Sequence, residues 1–107
     1  MLFVVIVYSQ KSITVPDGYI IEKDIVYSTI NGKELKLDLY WVKDAKKPTP
    51  LVIWIHGGGW RSGDKSRIKF AQHLLGKGFA LASINYRLSQ EAIFPAQIID
   101  CKAAIRW

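Results

Sequence analysis

The residues best suited to chemistry stand in a row: His56-Gly57-Gly58-Gly59, directly after the apolar run Leu51-Val52-Ile53-Trp54-Ile55. Glycines at the end of a strand let the backbone take positive φ and turn its amides toward one point, with no Cβ to keep a ligand oxygen away. Amides aimed at a developing oxyanion are worth about 3 kcal/mol each to an acyl-transfer transition state. A plain glycine-rich turn and a phosphate cradle are the competing explanations. No Gly-Lys-Ser/Thr ending follows, and the spacing is not G-x-G-x-x-G. Three glycines straight after a strand and a histidine fit acyl chemistry better.

A nucleophile is harder to find. The serines are Ser9, Ser12, Ser28, Ser62, Ser66, Ser83 and Ser89, and none lies in Gly-x-Ser-x-Gly, the pattern that a strained strand-to-helix elbow requires. Ser83 falls mid-strand between Ala82 and Ile84, and Ser62 follows Arg61 in a loop. His56 invites the role of general base, and the alternative is a backbone hydrogen bond that fixes the glycine loop. His73 reads as a surface or packing residue. Two histidines this far apart, with no acidic cluster, make no metal site. The single cysteine, Cys101, excludes an intrachain disulfide and a Cys-based zinc cluster, and reads as a small hydrophobe on a helix.

The elements that position these residues follow from local patterns. Asn31-Gly32 joins two strand-like runs, Glu22–Ile30 and Lys33–Trp41, and suits a type I′ hairpin. In the second run Leu35, Leu37 and Leu39 alternate with Lys36, Asp38 and Tyr40, which predicts one buried and one wet face. Lys43–Pro50 is a polar surface connection. Leu51–Ile55 has no alternation and fits a strand covered on both faces. Asp64 can cap a helix from Lys65 to about Lys77, with Ile68, Ala71, Leu74 and Leu75 on one face and Gly76 and Gly78 as its stop. Phe79–Asn85 is a second interior strand. Pro95 suits the first position of a helix with Ile98, Cys101 and Ile105 on one side and Ile99, Ala103 and Trp107 alongside. Hairpin, strand, helix, strand, helix predicts an α/β fold with a mostly parallel sheet.

At 107 residues, half of them apolar, with four Trp, five Tyr and four Phe, the chain has material for one core and is not disordered in composition. Fifteen Lys and Arg against nine Asp and Glu leave a formal charge of +6. The cations are dispersed and no nucleic-acid motif accompanies them, so a solvated surface is expected and no nucleic-acid partner. Leu2 to Tyr8 is too short an apolar run to span a bilayer. It reads as a signal-sequence remnant or an extra strand, with export left open between cytoplasmic and secreted locations.

The segments Asp38-Leu39-Tyr40, His56–Lys65 (HGGGWRSGDK), Asn85-Tyr86-Arg87-Leu88-Ser89 and Phe94-Pro95-Ala96-Gln97 together resemble the N-terminal half of an α/β-hydrolase esterase. The similar families are the hormone-sensitive-lipase-like and feruloyl-esterase-like carboxylesterases. The likeness runs from about Glu22 to Trp107. It implies an incomplete α/β-hydrolase fold, a β-hairpin followed by β-α-β-α, with residues 1–18 as a separate N-terminal segment and 19–107 as the front of a hydrolase domain. It implies a Ser-His-Asp/Glu triad acting on a small-molecule ester without a cofactor. The amides of Gly58 and Gly59 would then be oxyanion donors. His56 and Gly57 would support the loop, because the family's catalytic histidine lies near the C-terminus. Arg87 and Asp100 would form a supporting ion pair, and Trp60 and Phe94 would line the substrate entrance, with ordinary packing as the alternative for both. The nucleophile would follow one strand after the last helix, which ends mid-pattern without a Gly or Asn cap, so a chain cut before its nucleophile is expected. Leu51–Ile55 would then be a bare sheet edge open to self-association. The reading from another class is a non-catalytic hydrolase-like module for binding or assembly.

Overall fold

The computed structural model describes residues 15–107. β1 (Tyr19–Ile30) and β2 (Lys33–Val42) form the hairpin, and positive φ at Asn31 (49°) and Gly32 (78°) makes the turn between them. β3 (Leu51–Ile55) and β4 (Ala80–Ile84) complete a four-stranded sheet in the order β1-β2-β4-β3. One helix, α1 (Ala96–Arg106), follows. Two clusters form the core. Tyr27, Leu35, Leu37 and Ile84 pack with Tyr86 and with Cys101 and Ala104 of α1. Tyr40 and Leu81 pack with Ile68, Ala71 and Leu75 from the long β3–β4 connection. The paired residues Leu37↔Ile84 and Tyr40↔Leu81 thus contribute to different clusters, as the two-residue period of a strand requires. The possible signal remnant or strand at Leu2–Tyr8 lies outside the described residues.

Several elements differ from the sequence expectation. The sheet is mixed rather than mostly parallel. β1/β2 and β2/β4 are antiparallel and only β3/β4 is parallel. A parallel neighbour requires a crossover connection, and among the described residues only the β3–β4 segment supplies one that closes a ladder. β4 has neighbours on both sides and all five of its residues are buried, whereas β3 lies at the sheet edge with Leu51 52% exposed.

The helix expected over Lys65–Lys77 is instead a series of turns with one short 3-10 segment at Gln72–Leu74. Asp64 does accept the Ser66 amide at 2.8 Å, as a cap would. The next backbone group, however, is drawn onto the sheet. The Lys65 amide donates to Asn85 Oδ1 (2.7 Å), and the Lys65 carbonyl accepts from Ser83 Oγ (2.6 Å) instead of from an amide one helical turn on. Ile68, Ala71 and Leu75 still reach the core, and Gly76 and Gly78, both at φ 87°, end the segment.

The second face of β2 is not wet. Asp38 is 2% exposed, because the β3–β4 connection lies across it and Lys65 pairs with it. α1 is also rotated from the expected face. Ala96, Gln97, Asp100, Cys101 and Ala104 point inward, while Ile98, Ile99, Ile105 and Trp107 are exposed. Asp100 sets this rotation, since it is fully buried on the Arg87 guanidinium and amide.

Candidate functional site

β3 ends at Ile55, and the chain then runs His56-Gly57-Gly58-Gly59-Trp60 over the end of the sheet. Gly58 has φ 129° and Gly59 has φ 62°, and Trp60 is held at φ 64°. The Gly58 carbonyl accepts from the Arg61 amide (3.1 Å) and the Ser62 amide (3.2 Å), closing a tight turn on itself. A Cβ at Gly58 would lie 1.9 Å from the Ser62 carbonyl oxygen. Among the described residues the amides of Gly58 and Gly59 have no hydrogen-bond acceptor, and both glycines are exposed. The turn therefore leaves N–H donors available to a ligand oxygen.

His56 is buried beneath this turn. Its Nδ1 is 2.9 Å from the Gly57 carbonyl, which only an Nδ1–H tautomer can bond. The Tyr86 hydroxyl donates to the His56 carbonyl at 2.8 Å, and the two rings stack with centroids 4.4 Å apart. Trp60 meets Tyr86 edge-on at 5.1 Å and remains 44% exposed. Gly63 closes the group, since a Cβ there would fall 2.2 Å from His56 Nδ1 and 2.4 Å from the Gly57 oxygen.

Arg87 and Asp100 are brought together. The guanidinium donates twice, from Nε and from one terminal nitrogen, and the Arg87 amide adds a third bond, each at 2.9 Å. The guanidinium's hydrogen bonds to Asp100 push the Arg87 pKa up, against desolvation. Phe94 is exposed in the loop before α1. His73 is exposed in the 3-10 segment, and no group of three potential metal ligands occurs among the described residues. Cys101 is buried and free, and burial, then the Asp100 charge, pushes its thiol pKa up, away from the thiolate. Ser83 is fully buried and donates to the Lys65 carbonyl, so it cannot reach a substrate, while Ser62 lies exposed on the turn.

The polar set behind the loop was not read from the sequence. Lys65 Nζ lies 2.8 Å from both Asp24 and Asp38, and the Asp24 amide donates to Asp38. Asp24 occupies a bulge of β1 at φ 59°. Burial lowers the Lys65 pKa, but hydrogen bonds to Asp24 and Asp38 outweigh it and leave it raised. One available signal was Ser83, the sole polar residue in the run Phe79–Ile84, since a buried hydroxyl needs a partner.

With this geometry in view, comparison with known proteins decides the family. The family model described as BD-FAE matches residues 37–107. The chain belongs to the BD-FAE family. This BD-FAE segment is 32% identical over 94 residues to "Carboxylesterase NlhH" of Mycobacterium tuberculosis, covering 86% of this chain and 29% of that protein. Among solved structures it is similar to "Bacterial Heroin Esterase", with TM-score 0.69 and 32% identity over 82% of this chain and 28% of that one. It is also similar to esterase B from Lactobacillus rhamnosis, with TM-score 0.71 and 31% identity over 90% and 31% of the two chains. The relatives it is similar to are named as esterases, and the structural likeness gives this segment part of their α/β-hydrolase fold. The BD-FAE segment spans about three tenths of the length of these relatives.

Proposed function

We propose that the BD-FAE segment supplies the oxyanion-binding loop of a serine carboxylesterase acting on small-molecule esters. The backbone amides of Gly58 and Gly59 are the donors. The nucleophile, acid and base belong to parts of a longer protein beyond these 107 residues, and residues 19–107 form the front of its hydrolase domain. The observation that carries this reading is the turn at the end of β3, with Gly58 at φ 129°, Gly59 at φ 62° and their amides without acceptors among the described residues. Attack on an ester carbonyl moves charge onto its oxygen, and donors fixed in place before the reaction stabilise that charge without reorganising. His56, Gly57, Arg87 and Asp100 hold the loop and its surroundings. Trp60 and Phe94 border the substrate entrance, and no cofactor takes part. The printed names of the carboxylesterase and esterase relatives support the same chemistry.

The test is p-nitrophenyl acetate hydrolysis and labelling by a serine-reactive fluorophosphonate, applied to the 107-residue chain and to the longer protein. Turnover and single-site labelling in the longer protein, with neither in the short chain, is the expected result. Labelling of one serine within residues 1–107 would overturn the assignment. An inert but stably folded longer protein would favour a binding or assembly module instead. By itself, the 107-residue chain is expected to pair with a second copy along the open edge of β3.

A further inference from the structure

The loop from Gly58 to Ser62 closes on itself at the Gly58 carbonyl and is held at its middle by the Ser89 amide, which donates to the Trp60 carbonyl at 2.8 Å. Its position depends on that bond and on what grips its two ends. The upstream end is the C-terminus of β3, together with the Tyr86 hydroxyl on the His56 carbonyl at 2.8 Å. The downstream end is Gly63-Asp64-Lys65, where Gly63 is seated against His56 and Gly57 with no room for a Cβ. Beyond Gly63 the backbone is held by Asn85, the first residue after β4. Asn85 Oδ1 accepts the Lys65 amide at 2.7 Å, and Asn85 Nδ2 donates to Asp64 Oδ1 at 3.0 Å. The orientation of this amide is dictated by chemistry. A backbone N–H can only donate and a carboxylate can only accept, so the two ends of the Asn85 side chain cannot exchange. Asn85 is itself fixed by its own backbone. Its N–H donates to the Lys36 carbonyl of β2 at 2.9 Å, and its carbonyl accepts from the Tyr27 hydroxyl.

Resting on the esterase reading, we infer that Asn85 is a positioning residue for the oxyanion loop. It reads the Asp64 carboxylate and the Lys65 amide at once and so holds Gly63 against His56, with the Gly58–Gly59 amides carried on the same turn. Its neighbour Tyr86 grips the other end of the loop, so the dipeptide Asn85-Tyr86 sets both ends from one strand terminus. Asn85 acts through the loop. The carboxylate of Asp64 is the complementary half of the device, also accepting the Ser66 amide at 2.8 Å. The Lys65 ammonium is directed away, to Asp24 and Asp38.

The pairing has a polarity, and polarity can be exchanged. Asn85→Asp keeps an acceptor for the Lys65 amide but sets a carboxylate against the Asp64 carboxylate. The double variant Asp64→Asn/Asn85→Asp restores one donor facing one acceptor. It also keeps an amide oxygen for Ser66. In the longer protein, Asn85→Asp should lower kcat by about tenfold or more with KM within about twofold, since a small misplacement of a positioning group weakens transition-state contacts first. The double variant should recover most of that loss. Hydrogen exchange of the peptide spanning residues 56–63, read by mass spectrometry on the same three proteins, should rise in Asn85→Asp and return toward wild type in the double variant. Unchanged kcat and loop exchange in Asn85→Asp, or an equal deficit in the double variant, would overturn the inference. If the wild-type protein hydrolyses no ester, the esterase reading fails, and the exchange comparison still decides whether Asn85 positions the loop.

Discussion

At Gly58 a single added carbon is already too much. Its Cβ would sit 1.9 Å from the Ser62 carbonyl oxygen and 2.9 Å from Ser62 Oγ, so the turn must open to accept Gly58→Ala. Gly59 also has positive φ, at 62°, but nothing lies within 4 Å of a Cβ there, which leaves only the left-handed backbone penalty of about 1–2 kcal/mol. In the longer protein Gly58→Ala should therefore lower kcat by about 100-fold, the size of a lost oxyanion donor, with KM little changed. Gly59→Ala should lower kcat less. Steady-state kinetics on the two variants checks the ranking, and an equal or reversed effect would count against the role of this turn. Tyr40 poses the opposite case. Its ring is buried among Ile68, Ala71, Leu75 and Leu81, and its hydroxyl has no partner among the described residues. Removing an unsatisfied buried group relieves about 1–3 kcal/mol of desolvation, so Tyr40→Phe should keep or raise the melting temperature. A fall of several degrees by calorimetry would show that the hydroxyl is bonded after all.

At the scale of elements, the β3–β4 connection is fastened to β1 and β2 by charge and to β4 by hydrogen bonds. Hydrogen bonding and attraction to Lys65 hold the Asp24 carboxyl below its ordinary 3.8. Burial pushes Asp64 up, but the Ser66 amide and Asn85 outweigh it and leave it below 3.8 as well. Both groups bind protons less readily folded than unfolded. Their contribution to stability is complete above pH 3.8 and disappears as pH falls through the lower folded values. Lys65 is raised above 10.5, so its contribution is complete below that pH and disappears as pH rises past the folded value. Thermal melts from acid to alkaline pH should show a plateau between these limbs, and Asp24→Asn should flatten the acid limb. A variant with an unaltered acid limb would remove Asp24 from this account. β3 carries a different expectation. Among the described residues it pairs only with β4; it contains no charge or proline and exposes Leu51 and Ile55 at its ends. Such an edge invites another strand. The 107-residue chain should elute from size exclusion as a dimer or larger, and Leu51→Lys should shift it toward monomer. A monodisperse wild-type monomer would sink this expectation.

For the whole molecule, much of the order along the chain was legible from residue types alone. Asn31-Gly32 specifies a hairpin because both positions need positive φ, and the sheet contains that hairpin with Asn31 at 49° and Gly32 at 78°. The unbroken apolar runs become β3 and β4, but only β4 is covered on both faces, because β3 takes the sheet edge and stays half-buried or exposed along its length. His56–Gly59 stands out because few local structures call for three glycines, and the resemblance to esterases rested on that run and three linked segments. What the tertiary structure alone decided is where polar groups find partners. Asp38 alternates with leucines and so looks solvent-facing, but its burial follows from Lys65, 27 positions on, lying across it. The Lys65–Lys77 segment has helical spacing of its apolar residues, but its amides close short turns, Arg67 on Asp64, Ile68 on Ser66 and Ala71 on Ile68, while Ser83 and Asn85 hold Lys65 to the sheet. α1 turns Asp100 inward and leaves Ile98 and Ile105 outside because a three-bond charged contact with Arg87 outweighs the burial of either isoleucine. Periodicity records which residues are apolar and at what interval, and that is a local property. Which strand end lies beside a given amide, carboxylate or ammonium depends on contacts far apart in the chain, and these settle only when the sheet has formed.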